Sequence, residues 1–161
     1  MKARSSAIIG ALVVNACGVN AAHADTPTTK KEMVHTMLLQ IYEQRGSKEV
    51  APEYQALLAM KPNDDKLHYR YGMYLEKAGD DRAVKEYREA AKLAPAKPDY
   101  WGALGNAHYR NRNYSGAAGA YKRAVECGGG AKYQQLYQNM MQYLQQQRDY
   151  QNYQQKLKDD Q

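Results

Sequence analysis

The side chains able to attack, ligate or shuttle a proton are few in this chain, and their spacing suits none of those tasks. Histidines stand at positions 23, 35, 68 and 108, and cysteines at 17 and 127. A zinc site needs ligands at short intervals, such as His-Glu-x-x-His on one helix face or paired Cys-x-x-Cys. Neither pattern occurs, and no Gly-x-Ser-x-Gly elbow offers an activated serine. The run Gly128-Gly129-Gly130 lacks the Lys-Ser/Thr that makes a glycine loop a phosphate cradle, so it reads as a hinge between helices. His35, His68 and Trp101 are each 33 residues apart, and His108 stands 33 after Leu75. Rings recurring at one interval are packing residues of a repeated unit, partly buried and hydrogen-bonded, rather than ligands. The expectation is a protein that is not an enzyme, with no metal and no cofactor.

The interval recurs in other residue types. Ala83 and Ala117, Tyr87 and Tyr121, and Ala90 and Ala124 are each offset by 34. Gly72 and Gly105 are offset by 33, and the missing residue falls in a turn, where length changes cost little. Trp101 and Leu104 lie three apart on one helix face. Gly72 and Gly105 are small enough for a paired helix to approach closely. The alanines do the same from the second helix, and Tyr87 and Tyr121 fill the space between. A single helical hairpin cannot bury its apolar face alone and must stack on a neighbour. The fold class is therefore all-α, a short α-solenoid of stacked helix-turn-helix repeats, with Leu104 and the Tyr121 ring buried. Helix punctuation agrees. Asn63-Asp64-Asp65 supplies an N-cap, Gly46 and Gly79 suit left-handed C-caps, and Asp80-Asp81 stands ready to cap the next helix. Pro98 fits a first turn. Pro52 requires its helix to begin near Ala51.

Trp101, Leu104-Gly105, Ala117, Tyr121 and Ala124, with Tyr71-Gly72, Leu75, Ala83, Tyr87, Ala90 and Pro95 one unit earlier, resemble the tetratricopeptide repeat family. The resemblance is strong over 65–98 and 98–131. Upstream, Gly46 and Pro62 precede Gly79 and Pro95 by 33, with Leu38, Tyr42, Tyr54 and Leu57 in the apolar slots. Downstream, an offset of 36 maps Trp101, Leu104 and Gly105 onto Tyr137, Met140 and Met141, and Tyr114, Ala117 and Tyr121 onto Tyr150, Tyr153 and Leu157. The resemblance implies about four hairpins over residues 31–158, the first degenerate and the last a polar cap.

It further implies that the first helices of the hairpins line a concave groove for another protein or an extended peptide. The residues carried there are Lys66, Tyr69, Arg70, Met73 and Lys77, then Asn106, Tyr109 and Arg110, and Gln138, Asn139 and Gln142 from the cap. Gly102 and Ala103 are expected to leave room for a partner's side chain. Members of the family with a carboxylate clamp hold a peptide C-terminus through Lys and Asn at set slots. Those slots here hold Thr36, Gln40, Arg70, Asp99 and Ala103, so that specificity does not carry over.

Composition sets outer bounds. The 161 residues make one domain's worth of chain. A net charge of +6 is modest, and bases alternate with acids, as in Asp80-Asp81-Arg82 and Lys85-Glu86. That is no basic stripe, so nucleic acid is not an expected partner. Tyrosine occurs 15 times and phenylalanine never, so buried hydroxyls must find partners or water. The Gln-rich stretch from Gln134 to Gln155 keeps Tyr133, Tyr137, Met140 and Leu144 at helical spacing, which makes it a polar helix rather than low complexity.

The first residues read as an address. Lys2 and Arg4 precede the apolar run Ala7 to Val14, too short to span a bilayer, and Ala22-His23-Ala24 fits the small-x-small cleavage rule. Residues 1–24 are thus expected to be a signal peptide, 25–30 a linker and 31–161 the repeat domain. Cleavage leaves 137 of the 161 residues and lowers the formal charge from +6 to +4. Val14-Asn15-Ala16-Cys17 partly resembles a lipoprotein box, so a lipid anchor at Cys17 is the alternative, although Asn15 departs from that pattern. If Cys17 leaves with the leader, Cys127 remains, as a small core residue near a helix end. The expected function is a protein-binding adaptor or scaffold of the bacterial cell envelope, periplasmic or secreted, with no membrane span. The alternative is a lipid-anchored structural subunit of an outer-membrane assembly such as a secretion or pilus machine. N-terminal sequencing of the exported protein is expected to read Asp25 first, and a modified Cys17 would select the anchored alternative.

Overall fold

The computed structural model describes residues 29–160. The expected leader, its cleavage site before Asp25, and Cys17 lie outside the described residues. Among the described residues seven helices follow one another: α1 (Lys30–Arg45), α2 (Val50–Met60), α3 (Asp65–Lys77), α4 (Ala83–Leu93), α5 (Pro98–Arg110), α6 (Tyr114–Glu126) and α7 (Gly130–Asp159). They pair as α1–α2, α3–α4 and α5–α6, and each pair packs on the next.

Local sequence sets the ends. The side chains of Thr29, Asp64 and Asn113 accept the N–H groups of Glu32, Leu67 and Gly116, capping α1, α3 and α6. Pro98 opens α5, where its missing N–H is no loss. All three first helices stop in one way. The residue in the left-handed region is Gly46, then Gly79, then Arg112, with φ of 63°, 72° and 56°. In each case the next N–H turns back onto a carbonyl five residues earlier, as Ser47 does to Tyr42, Asp80 to Leu75 and Asn113 to His108. Arg112 holds a conformation better suited to glycine, which the matching bonds around it sustain. Asp80-Asp81 does not cap α4. That helix starts at Ala83 without a side-chain cap, and the Asp80 carboxylate is instead closed by the backbone and guanidinium of Arg82.

The core is built on two ring-on-glycine seats. A Cβ added to Gly72 would come 2.7 Å from Tyr87 Cδ1, and one added to Gly105 would come 2.5 Å from Tyr121 Cε1. Each ring therefore rests directly on the backbone of the first helix of its own hairpin. In the first hairpin the slot holds buried Leu39. There Tyr54 stacks on Tyr71 of the next hairpin, with ring centroids 5.0 Å apart. Leu104 and Tyr121 are buried, as the periodicity requires.

The stack of hairpins is as read from the sequence, but the fourth unit departs in detail. It is one uninterrupted helix of 30 residues, about 45 Å long at 1.5 Å per residue. From Ala131 to Asp159 no glycine or proline breaks the pattern. Met141 and Tyr153 occupy the slots where small residues would let a second helix fold back. With no stop signal and no seat, the helix continues.

The glycine seats yield a pair of opposite effects. Gly105→Ala gains helix propensity but overpacks the Tyr121 ring, for a net loss of about 1–2 kcal/mol. Gly119→Ala, on an exposed part of α6 with nothing within 4 Å of the new Cβ, is expected to gain about 0.5–1 kcal/mol. Urea unfolding of the two variants, followed by circular dichroism, reads both signs.

Candidate partner-binding face

Among the described residues, five tyrosine hydroxyls donate from one helix to another and form polar rungs. Those of the second helices bond back within their hairpins: Tyr54 donates to Glu43, and Tyr87 donates to Glu76 at 2.9 Å. In the third hairpin the equivalent position is held by Tyr109 and Arg110, which offer no carboxylate. Tyr121 turns instead to the Asn106 amide oxygen, 2.8 Å away. The other rungs cross between hairpins. Tyr100 donates to Asp65 at 2.8 Å and Tyr133 to Asp99 at 2.7 Å. Lys97 also reaches Asp65, and Lys61 pairs with Glu32. Burial, and then the accepting carboxylate, push the Tyr54, Tyr87 and Tyr133 hydroxyls well above the ordinary tyrosine range.

The histidines also belong to the packing. His35 Nδ1 lies 2.6 Å from Glu53 and His68 Nδ1 lies 2.7 Å from Glu86, both joining first to second helix across 18 residues. The Nε2 of His68 contacts the Pro62 carbonyl at 2.9 Å, and Trp101 Nε1 donates to the Pro95 carbonyl at the same distance one unit on. Cys127 is half-buried, its sulfur 3.0 Å from that Pro95 oxygen. Burial, with Arg88 adding to it, lowers the His108 pKa.

The face presented by the first helices carries several clefts. One of about 570 Å³ lies between the first two hairpins. It brings together three residues expected in the groove, Arg70, Met73 and Lys77, with Lys48, Tyr54 and Tyr74. Glu43 sits at its edge and pairs with Arg70 at 2.8 Å. A second cleft is lined by Lys66, Arg70 and Thr36. A third holds Arg110 with Glu76, 3.3 Å apart, beside Asp80 and Asp81.

The other expected groove residues are placed less uniformly. Tyr69 is half-buried, stacked on Tyr100 at 4.7 Å and tilted against Tyr87, so its ring serves the core first. Asn106 is exposed but accepts the Tyr121 hydroxyl. Tyr109 is half exposed, its ring edge-on to Tyr114. Gln138, Asn139 and Gln142 are exposed on α7, with Asn139 accepting from Gln135. The room expected at Gly102 is already taken, since a Cβ there would come 2.2 Å from the Tyr133 ring. Sequence reasoning missed Glu43 and Lys48. Glu43 had a signal, since Glu76 repeats it 33 residues later, whereas Lys48 stands in a turn and had none.

The comparisons with known proteins bear on the fold. Residues 81–132 match a family model described as tetratricopeptide repeat, from the turn before α4 to the start of α7. No curated protein matches the chain in sequence. Among solved structures, the fold is similar to the Sgt2 TPR domain from Aspergillus fumigatus, at 16% identity and TM-score 0.60, over 75% of this chain and 83% of that one. The first TPR of Spaghetti (RPAP3), bound to the HSP90 peptide SRMEEVD, aligns at 16% identity and TM-score 0.59, over 71% and 94%. MamA protein aligns at 16% and 0.58, over 67% and 63%. Residues 81–132 are thus similar to tetratricopeptide repeats, and the described helices stack in an all-α fold like that of these solved structures. The family is in general a non-enzymatic interaction module.

The buried hydroxyls set an alkaline limit. In the unfolded chain a tyrosine titrates near 10, and in the fold the neutral form is favoured. The stability these rings contribute is whole below about pH 10 and is lost as pH rises past it, because the folded state then holds more protons than the unfolded. Unfolding free energy is expected to be flat between about pH 7 and pH 9 and to fall above about pH 10. Tyr87→Phe should make that fall shallower, as read by urea titrations at each pH.

Proposed function

We propose that this chain is an exported, non-enzymatic adaptor or scaffold of the bacterial cell envelope that holds an extended, acid-biased segment of a partner protein. The observation that carries this reading is the cleft of about 570 Å³. Arg70, Lys77 and Lys48 there outnumber the one carboxylate, Glu43, and Met73, Tyr54 and Tyr74 supply apolar wall. Guanidinium and ammonium groups favour carboxylates through charge-assisted bonds. Exposed Asn106, Gln138, Asn139 and Gln142 each offer a donor and an acceptor to a peptide backbone. The RPAP3 repeat holds a peptide containing two glutamates and an aspartate, which supports an acidic ligand on the same fold. The reaction to the ligand is binding alone. Cleavage before Asp25 places the domain outside the cytoplasm in this reading.

The test uses partner captured from an envelope extract. The double variant Arg70→Ala with Arg110→Ala is expected to capture it about tenfold less well, and added salt should weaken the wild type in the same direction. Thermal stability should shift little, since exposed ion pairs contribute about 0–1 kcal/mol. Undiminished capture by the double variant, with loss of capture on Lys122→Glu in α6, would place the working surface on the second helices instead.

A further inference from the structure

The two ends of the stack carry apolar stripes that no other described residue is shown to cover. On α1 the buried side is formed by Glu32, Leu39 and their half-buried neighbours. Its other side still presents Val34, Met37 and Ile41, with Met37 61% exposed. On α7 the first half packs against α6 through Tyr133, Leu136, Tyr137 and Met140. The second half is exposed almost throughout and bears Tyr150, Tyr153 and Leu157, with Tyr150 62% exposed. That half is a well-made helix even without a neighbour. Rungs from Gln145 to Asp149 and from Gln155 to Asp159, at 2.8 and 2.7 Å, support it at the i,i+4 spacing.

Read in opposite directions, the two stripes keep step to within one residue. On α1, Lys30, Val34, Met37, Ile41 and Gln44 follow at intervals of 4, 3, 4 and 3. From Asp160, which caps the end of α7, Leu157, Tyr153, Tyr150 and Gln146 run backwards at 3, 4, 3 and 4. Both span 15 residues, from 30 to 44 and from 146 to 160, about 21 Å of helix. These are the alternating steps of a two-helix seam. Laid antiparallel, Val34 meets Leu157, Met37 meets Tyr153 and Ile41 meets Tyr150. Gln44 then faces Gln146 at one end, and Lys30 faces Asp160 at the other. Neither Lys30 nor Asp160 has an ion-pair partner among the described residues. Pairing α1 with α1, or α7 with α7, would leave these charges opposite glutamine.

We propose that α7 of one copy docks antiparallel on α1 of a second copy through this seam, with Lys30 and Asp160 closing its end. The contact is head-to-tail, so each added copy leaves one free α1 and one free α7, and open chains grow with concentration. One helix pair is a small interface, which makes the association weak and reversible. This surface is separate from the clefts that Arg70 and Arg110 line, and the inference does not rest on the groove reading.

Sedimentation velocity of the purified protein over a concentration series tests it. The wild type is expected to move from monomer to a ladder of larger species. K30E and D160K should each weaken association about fivefold, the scale of one exposed ion pair turned to repulsion. The double variant K30E/D160K, and an equimolar mixture of the two single variants, should restore the ladder. Met37→Asp should leave only monomer with its circular dichroism melt unchanged, and Arg70→Ala with Arg110→Ala should leave the ladder intact. A wild type that stays monomeric at every concentration overturns the proposal. So does a D160K variant that associates like wild type, which would indicate α1–α1 pairing, or a double charge swap that restores nothing.

Discussion

A tyrosine ring seated on the bare backbone of a glycine is the contact from which the rest of this fold follows. Tyr87 on Gly72 and Tyr121 on Gly105 let two helices approach closer than side chains would permit. Close approach makes the small residues opposite, Ala83, Ala90, Ala117 and Ala124, fit with almost no exposure. With alanines in those slots, the rings are the main bulk available to fill each hairpin, so they also set how the next hairpin stacks. Tyr133 repeats the arrangement between units by covering Gly102.

Using tyrosine rather than phenylalanine for this task carries a polar obligation. Each buried ring brings a hydroxyl whose desolvation must be compensated. Glu43, Glu76, Asp65 and Asp99 are the compensation, and they stand on first helices where a binding groove would also lie. The face available to a ligand is therefore shaped by groups already committed inward. Glu43 accepts from Tyr54 on one oxygen and from Arg70 on the other. Arg110 stands beside Glu76, which already receives Tyr87. A partner's carboxylate would compete with those glutamates for the same cations, which is a physical reason for such binding to be weak and sensitive to salt.

The ends of the stack obey a different constraint. An interior hairpin is covered on both sides, whereas α1 and α7 each have one side that no other described helix covers. Solenoids commonly finish with a polar outer face. Here α7 is polar by composition but retains an aromatic stripe beyond the point where its packing ends, and α1 is apolar on both of its sides. Glutamine-rich stretches between the rings keep α7 helical without a partner, through rungs along its own surface.

Much of this was legible in the sequence because it depends on spacing. A repeat near 33 or 34 residues, glycine opposite tyrosine, and capping residues at the breaks are local patterns, and they specify the all-α hairpins, the helix ends and the burial of Leu104 and Tyr121. Arg70, Met73 and Lys77 also line one cleft together, because residues three and four apart share a helix face. What spacing does not contain is where one unit meets the next. That Tyr133 fills the notch at Gly102, that Tyr69 is claimed by Tyr100, and that Lys48 joins Arg70 at one cleft all depend on the distance between separate helices. The fourth unit shows the same limit. An offset of 36 drew a hairpin there, yet a turn forms only if a chain break and a packing seat coincide. With neither glycine nor proline in the interval, and with large side chains where small ones were needed, the tertiary balance favoured one continuous helix.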